Sequence, residues 1–287
     1  MQHGTSVDTS TLRKDRPPGA TCCAACSTKD HAIGLFPHAA AKAIISAEKS
    51  AGTDGFEFDE FAHEDPQQLR DLFTRMSYAL AARHRTRRVE SWQQGDITYV
   101  LNAEPGSHAM RFVAEHGPCA PSMGWRVVDA GHALAHTVSH GATTYDGADK
   151  VLDVPAVVGS LIYLIDQFGE TNPYAAFDWP NAPKPIGAGF HYLDHLTHNV
   201  HQGTMDTWFR FYQGIFGFHQ IWFLDIKGKY SGLLSRALTS PCGRIRIPIN
   251  EDRGASGQIV EYLKRYRGEG SRISLPGQRT SVPQPIP

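Results

Sequence analysis

The sequence contains no run of about 18 consecutive apolar residues, the length at which a helix can cross a bilayer. Nor does it have an uninterrupted apolar stretch near its start that could form the core of a secretory signal. It also lacks an excess of charge of either sign: 28 Lys and Arg face 29 Asp and Glu, a formal net charge of −1. A chain so balanced offers a nucleic-acid backbone or an anionic membrane surface little to hold. Cysteine is sparse, with five in 287 residues, and three of these crowd together as Cys22, Cys23 and Cys26. One CxxC without a second ligand pair is a weak zinc pattern, and this one lies in a Pro-, Gly-, Ala- and Ser-rich stretch. The isolated Cys119 and Cys242 read as packed thiols, and the chain as cytoplasmic.

What is present is ordinary globular composition, 41% hydrophobic and 20% charged, enough for one or two cores. Three textures follow one another. Residues 1–51 mix charge with Pro, Gly and Ala without a period and are expected to be poorly ordered. Residues 52–267 are patterned. Residues 268–287 lose periodicity and become polar and Pro-rich.

The patterned zone opens with Phe56-Glu-Phe-Asp-Glu-Phe61, a strand by strict alternation. Asp65 then caps a helix, with Pro66 in its first turn and Leu69, Leu72, Phe73 and Met76 as its apolar stripe. Short strands are expected near 78–84, 88–93 and 97–102, with Gly95-Asp96 turning between the last two. Ser107 caps a helix ending at Gly117. A strand follows near 122–128, then a helix capped by Asp129, and a buried strand within 159–166. Residues 52–170 thus read as a first domain of βαβββ type. The segment 171–189, rich in Pro, Gly and Asn, reads as a linker.

The pattern then restarts over 190–267. Residues Phe190 to His198 alternate like a strand. A helix from Thr204 to Ile215 follows, then strands near 218–226, 231–238 and 243–249, and a helix capped by Ser256. Laying the first strand and helix of one half over those of the other sets Glu60 opposite His195. An internal duplication is the economical account, and the fold class is α+β, built from tandem βαβββ modules.

Fifteen histidines is a high count. His132, His136 and His140 fall on one helix face but lack the HExxH glutamate of a zinc protease. His191, His195, His198 and His201 cluster at the restart. Two-residue alternation puts 191 and 195 on one side of a strand and 198 on the other. A single imidazole on a strand suits a metal site whose other ligands come from distant strands.

Several blocks travel together here: GTDGFEF, ARHR, QGDITYVLNAEPGS, RFVAEHGP and GSLIYLID, then HYLDHLTHNV, FLDIKGKYSGLLSRALTSPCGRIRIPINE and GQIVEYLKRYRGEG. In order and without large gaps, they resemble the 4-hydroxyphenylpyruvate dioxygenases from about Gly52 to Gly270. The resemblance implies a pair of open barrels of the vicinal-oxygen-chelate arrangement. It also implies an oxidoreductase that converts 4-hydroxyphenylpyruvate and O2 to homogentisate and CO2 in tyrosine and phenylalanine breakdown. Such enzymes hold Fe(II) with two histidines and one carboxylate. The first of these ligands falls on His195. Substrate-facing groups carry over to Ser235, Pro248, Asn250 and Gln258, a hydroxyl and neutral amides that can hold a phenol and a keto acid without added charge. The family implies a homo-oligomer and gives no role to nucleic acid or membrane.

The resemblance breaks after Gly270. The family continues with a strand carrying its second histidine, where this chain reads Ser271-Arg-Ile-Ser-Leu-Pro276. Back-translation with a one-nucleotide shift permits Ile-Pro-His-Ile-Ala, so a frameshifted tail is expected. Two of three iron ligands are then missing, and the expectation is low activity, an open second barrel and a tendency to aggregate. Two alternatives remain at this point: a hydroxymandelate synthase-like enzyme, and a non-catalytic remnant acting as an interaction module.

Overall fold

The computed structural model describes residues 42–152, 156–157, 160–168, 173–180, 187–190, 192–227 and 232–271. Cys22, Cys23, Cys26, His191, most of the 1–51 extension, part of the 171–189 linker and the tail from residue 272 lie outside these.

The first half runs β1 (Thr53–Ala62), α1 (Pro66–Arg75), β2 (Ala79–His84), β3 (Val89–Gln94) and β4 (Ile97–Asn102). It continues with α2 (His108–His116), β5 (Cys119–Val127), α3 (Ala130–Ser139), β6 (Ala156–Val157), β7 (Leu161–Ile165) and β8 (Phe177–Asp178). Local chemistry sets the helix starts as expected. Asp65 accepts the Gln67 N–H, Ser107 accepts that of Met110, and Asp129 accepts that of His132, each satisfying a donor that the first turn leaves open. Gly95 turns the β3–β4 hairpin with φ of 55°, a left-handed value that glycine adopts without strain.

The second half runs β9 (His198–Val200), α4 (Met205–Phe216), β10 (His219–Lys227), β11 (Gly232–Thr239), β12 (Arg246–Asp252), α5 (Gln258–Tyr266) and β13 (Gly270–Ser271). Two sheets result. Their strand orders are β6-β7-β5-β1-β4-β3-β2-β8 and β10-β11-β12-β9-β13. In the first, β1 lies parallel to β4 and antiparallel to β5. In the second, β9 lies parallel to β12 and antiparallel to β13. The central pairing is the same in both halves. One apolar cluster joins them: Trp125 of β5 meets Phe216 and Phe218 edge-on and stacked, at ring separations of 4.8 and 5.5 Å.

Four expectations need correction. Residues 192–197 are not strand, since β9 begins only at His198. The residues before it are tied by side chains instead: the Tyr192 hydroxyl donates to the Arg244 carbonyl, and Asp194 pairs with Arg246. The helix after β12 is entered through Gly257 with no side-chain cap. Asp252, not Ser256, accepts the Val260 N–H at 2.8 Å, because the end of β12 already points a carboxylate at the first turn. The 171–189 segment is not purely a linker, because β8 pairs with β2 and extends the first sheet. Finally, residues 42–51 are not all loose: Ala51 is buried, the Ala43 N–H donates to Asp54, and Lys42 donates to the Asp166 carbonyl.

Candidate active site

The second sheet has two chemically distinct faces, set by the two-residue alternation of its strands. Ile247, Ile249 and Leu238 are buried and join the core under α4. The opposite alternation carries Pro248 and Asn250 on β12 and Ser235 on β11, all half-buried. Ser235 stands directly across from Asn250, and Pro248 across from Ala237. Three of the expected substrate residues are therefore brought together on one face. Next along the row, Leu224 of β10 faces Ser235, and Asn199 of β9 faces Asn250.

Asn199 is the member of this row that sequence reasoning missed. It is buried, and its Nδ2 has no hydrogen-bond partner among the described residues. Only the ladder register, which sets it across from Asn250, singles it out.

His195 itself is half exposed and lies just before β9. Its Nδ1 is 2.8 Å from the Asp194 carboxylate, which also takes the Arg246 guanidinium. The His195 hydrogen bond, aided by Arg246, holds the Asp194 carboxyl below its usual range against partial burial. With Nδ1 turned to a carboxylate, Nε2 is the atom left to bind a metal, the arrangement by which carboxylates orient ligand imidazoles. Gln258 stands on the exposed first turn of α5, and no described hydrogen bond joins it to Ser235, Asn250 or His195.

The equivalent place in the first half is closed. Glu60 is buried on β1, where it accepts hydrogen bonds from Asn102 at 2.7 Å and from Ser122. Burial raises its pKa, and these two donors oppose the shift. Phe58 and Val100, on the same alternation, are covered by Val151, Leu152 and Tyr163.

Fe(II) in a facial triad needs three protein donors. Among the described residues, no group of three His, Cys, Asp or Glu side chains is placed to hold a metal. His195 offers a single imidazole, and the carboxylate of its neighbour Asp194 is engaged by Arg246. The described residues therefore do not complete a ferrous site. The trio His132, His136 and His140 is engaged with backbone and hydroxyl groups: His132 meets the Ser50 carbonyl, His136 the Ser50 hydroxyl, and His140 the His136 carbonyl.

Paired βαβββ modules, a closed first half and an open, polar-lined second face define the vicinal-oxygen-chelate class. Among solved structures, a xylose isomerase-like TIM barrel/4-hydroxyphenylpyruvate dioxygenase fusion protein superposes with a TM-score of 0.65 at 32% identity. It covers 79% of this chain and 37% of that one. The family described as hydroxyphenylpyruvate dioxygenase, N-terminal, matches residues 47–180. The 4-hydroxyphenylpyruvate dioxygenase of Pseudomonas aeruginosa is 42% identical over 241 residues, covering 80% of this chain and 68% of that protein. Hemolysin VllY of Vibrio vulnificus is 42% identical over 240 residues, with 79% and 67% covered. The chain belongs to the 4-hydroxyphenylpyruvate dioxygenase family, an oxidoreductase family of Fe(II) dioxygenases. It spans about two thirds of the length of these two relatives. No helix among the described residues is long and apolar enough to cross a membrane.

Proposed function

We propose that this chain serves the conversion of 4-hydroxyphenylpyruvate and O2 to homogentisate and CO2 in tyrosine and phenylalanine catabolism. Ser235, Pro248, Asn250 and Gln258 meet the substrate, and His195 supplies one Fe(II) ligand. The observation that carries the reading is the Ser235–Asn250 pair, with Pro248, on the open face of the second sheet. A hydroxyl and an amide there can donate to and accept from a phenol or a keto acid, and neither brings a charge that would compete with the substrate carboxylate for the metal. Iron, when bound, supplies the oxidative chemistry; these side chains orient the substrate and exclude water. A cytoplasmic setting and a homo-oligomer belong to the same reading.

The described residues do not complete a ferrous site, so this chain is expected to bind substrate but turn over little. Saturation-transfer NMR should show 4-hydroxyphenylpyruvate ring protons contacting the protein, with a weaker effect in Ser235→Ala and Asn250→Ala. An unchanged signal in both variants would refute the substrate assignment. Substrate-dependent oxygen uptake with added Fe(II) should stay near background. Homogentisate formed at ordinary enzymatic rates would show that the metal site is complete.

A further inference from the structure

The first half carries a feature that the dioxygenase reading does not use. A concavity of about 570 Å3 lies between α1, the end of β2, the β2–β3 turn and the start of α2, and four arginines line it: Arg70, Arg83, Arg87 and Arg88. Glu64 and Glu90 are the acidic side chains of the same lining. Glu90 is already consumed: Arg70 Nε bonds both of its oxygens at 3.1 and 3.2 Å, Arg83 lies 3.8 Å away, and the Trp92 indole donates at 3.0 Å. Glu64 pairs with none of the four in a described ion pair, and neither the Arg87 nor the Arg88 guanidinium is paired with a carboxylate among the described residues. Arg87 donates to two neutral carbonyls, of Lys150 at 2.5 Å and Ala148 at 3.2 Å, and so keeps its full charge. The Arg88 guanidinium has no hydrogen-bond partner among the described residues, while its backbone N–H is held by Glu104 at 2.7 Å.

The turn that presents these groups is fixed in shape. His84 Nδ1 accepts the backbone N–H groups of both Thr86 and Arg87, at 3.2 and 3.1 Å. That geometry needs an unprotonated Nδ1. Burial, followed by Arg87 and Arg85, lowers the His84 pKa and favours the neutral ring. A run of arginines serving only solubility has no need for such anchoring, whereas a site that must present guanidinium forks in fixed places does. One wall of the concavity is apolar, with Ala103, Pro105 and Met110.

From this geometry we propose that the groove binds a small phosphate ester, its dianionic head between Arg87 and Arg88 and its organic body against Pro105 and Met110. Guanidinium pairs match phosphate oxygens bidentately, and the volume suits a small organic ligand. The site stands apart from the second sheet, so its occupation does not depend on the dioxygenase reading.

Isothermal titration of the full chain with phenyl phosphate tests this, with inorganic phosphate and benzoate as comparison probes. Phenyl phosphate should bind more tightly than either, and more weakly at about 500 mM than at about 50 mM NaCl. Arg88→Ala should weaken binding about tenfold or more, the size of a lost charge-assisted contact. Arg88 is exposed and makes no described side-chain bond, so this variant should keep the wild-type melting temperature. Arg85→Ala, a charge-matched control whose side chain pairs with Asp178 at 3.7 Å, should leave affinity unchanged. Undetectable phenyl phosphate binding overturns the proposal, as does equal loss in Arg85→Ala and Arg88→Ala. Benzoate binding as tight as phenyl phosphate rules out a phosphate-selective site. Binding of an acidic peptide in place of phenyl phosphate rules out a small ligand.

Discussion

Ser235 and Asn250 face each other across the β11–β12 ladder, yet neither side chain makes a described hydrogen bond within the fold. Both are half-buried polar groups that do no bonding work for the sheet. Residues kept for stability behave differently: Ile249, the next residue on β12, is fully buried in the core shared with α4.

The contrast sets the first prediction. Ser235→Ala and Asn250→Ala should each change unfolding free energy by no more than about 0.5 kcal/mol, the range of substitutions away from structural contacts. Ile249→Ala should cost about 3 kcal/mol through lost burial and the cavity left behind. Urea denaturation of the three variants compares them directly. A loss above about 1.5 kcal/mol for either polar variant would mean a structural role.

Much of this fold was legible because local signals agreed with tertiary ones. Gly95-Asp96 between two alternating runs gave the β3–β4 hairpin, and Asp65-Pro66 gave the start of α1. The reading failed where long-range contacts decide. Residues 190–197 alternate like a strand, but parallel pairing with β12 begins only at His198, and Asp194 is drawn to Arg246 instead. Ser256 sits where a cap belongs, but Asp252 reaches α5 first across the bend. At the site, face-sharing of Ser235, Pro248 and Asn250 follows from the ladder register, which the resemblance could only imply. The unpartnered amide of Asn199 needed the register as well, since its significance comes from lying across from Asn250.

The second prediction concerns β10, which ends the second sheet. Every residue of this strand is exposed, and Trp222 (63%) and Ile226 (50%) lie open on the Leu224 side while Phe223 opens on the other. An edge strand apolar on both faces invites pairing with another chain. Light scattering of the isolated chain should show mass rising with concentration across roughly the micromolar range where such species associate. The double variant Trp222→Lys, Ile226→Lys should suppress the rise, as lysine on natural edge strands does. Concentration-independent monomer in the unmodified chain would contradict this.

Arg244 and Asp54 carry a third prediction. They join the loop before β12 to the start of β1, 190 residues apart in sequence, and Asp54 is almost fully buried. Removing the guanidinium leaves a buried carboxylate without its main cation. Arg244→Ala should therefore destabilise the chain by about 3 kcal/mol. Asp54→Asn together with Arg244→Ala should recover part of that loss, because the amide removes the buried charge. Additive losses in the double variant would show that the pair is not coupled.

The last prediction concerns pH. His198 is buried on β9, with its Nδ1 3.3 Å from the Tyr212 hydroxyl and its ring 4.3 Å from that of Trp208. Burial lowers its pKa from 6.5 to about 4, against a weaker opposing pull from Glu269. Above pH 6.5 the imidazole is neutral in both folded and unfolded chains and contributes no pH dependence. As pH falls below that value the unfolded chain takes up a proton that the folded chain refuses, so stability falls until the folded pKa is reached. Between about pH 7 and pH 5 this amounts to a loss of about 2 kcal/mol from this one side chain. His84, His108, His136 and His219 are shifted in the same direction, so the total slope is not diagnostic. The difference between the unmodified chain and His198→Gln is, since glutamine can still meet the Tyr212 hydroxyl and does not titrate. Urea midpoints measured across this range should converge toward acid pH, with the variant losing less. Parallel curves would mean that His198 titrates normally and that water reaches it in the folded protein.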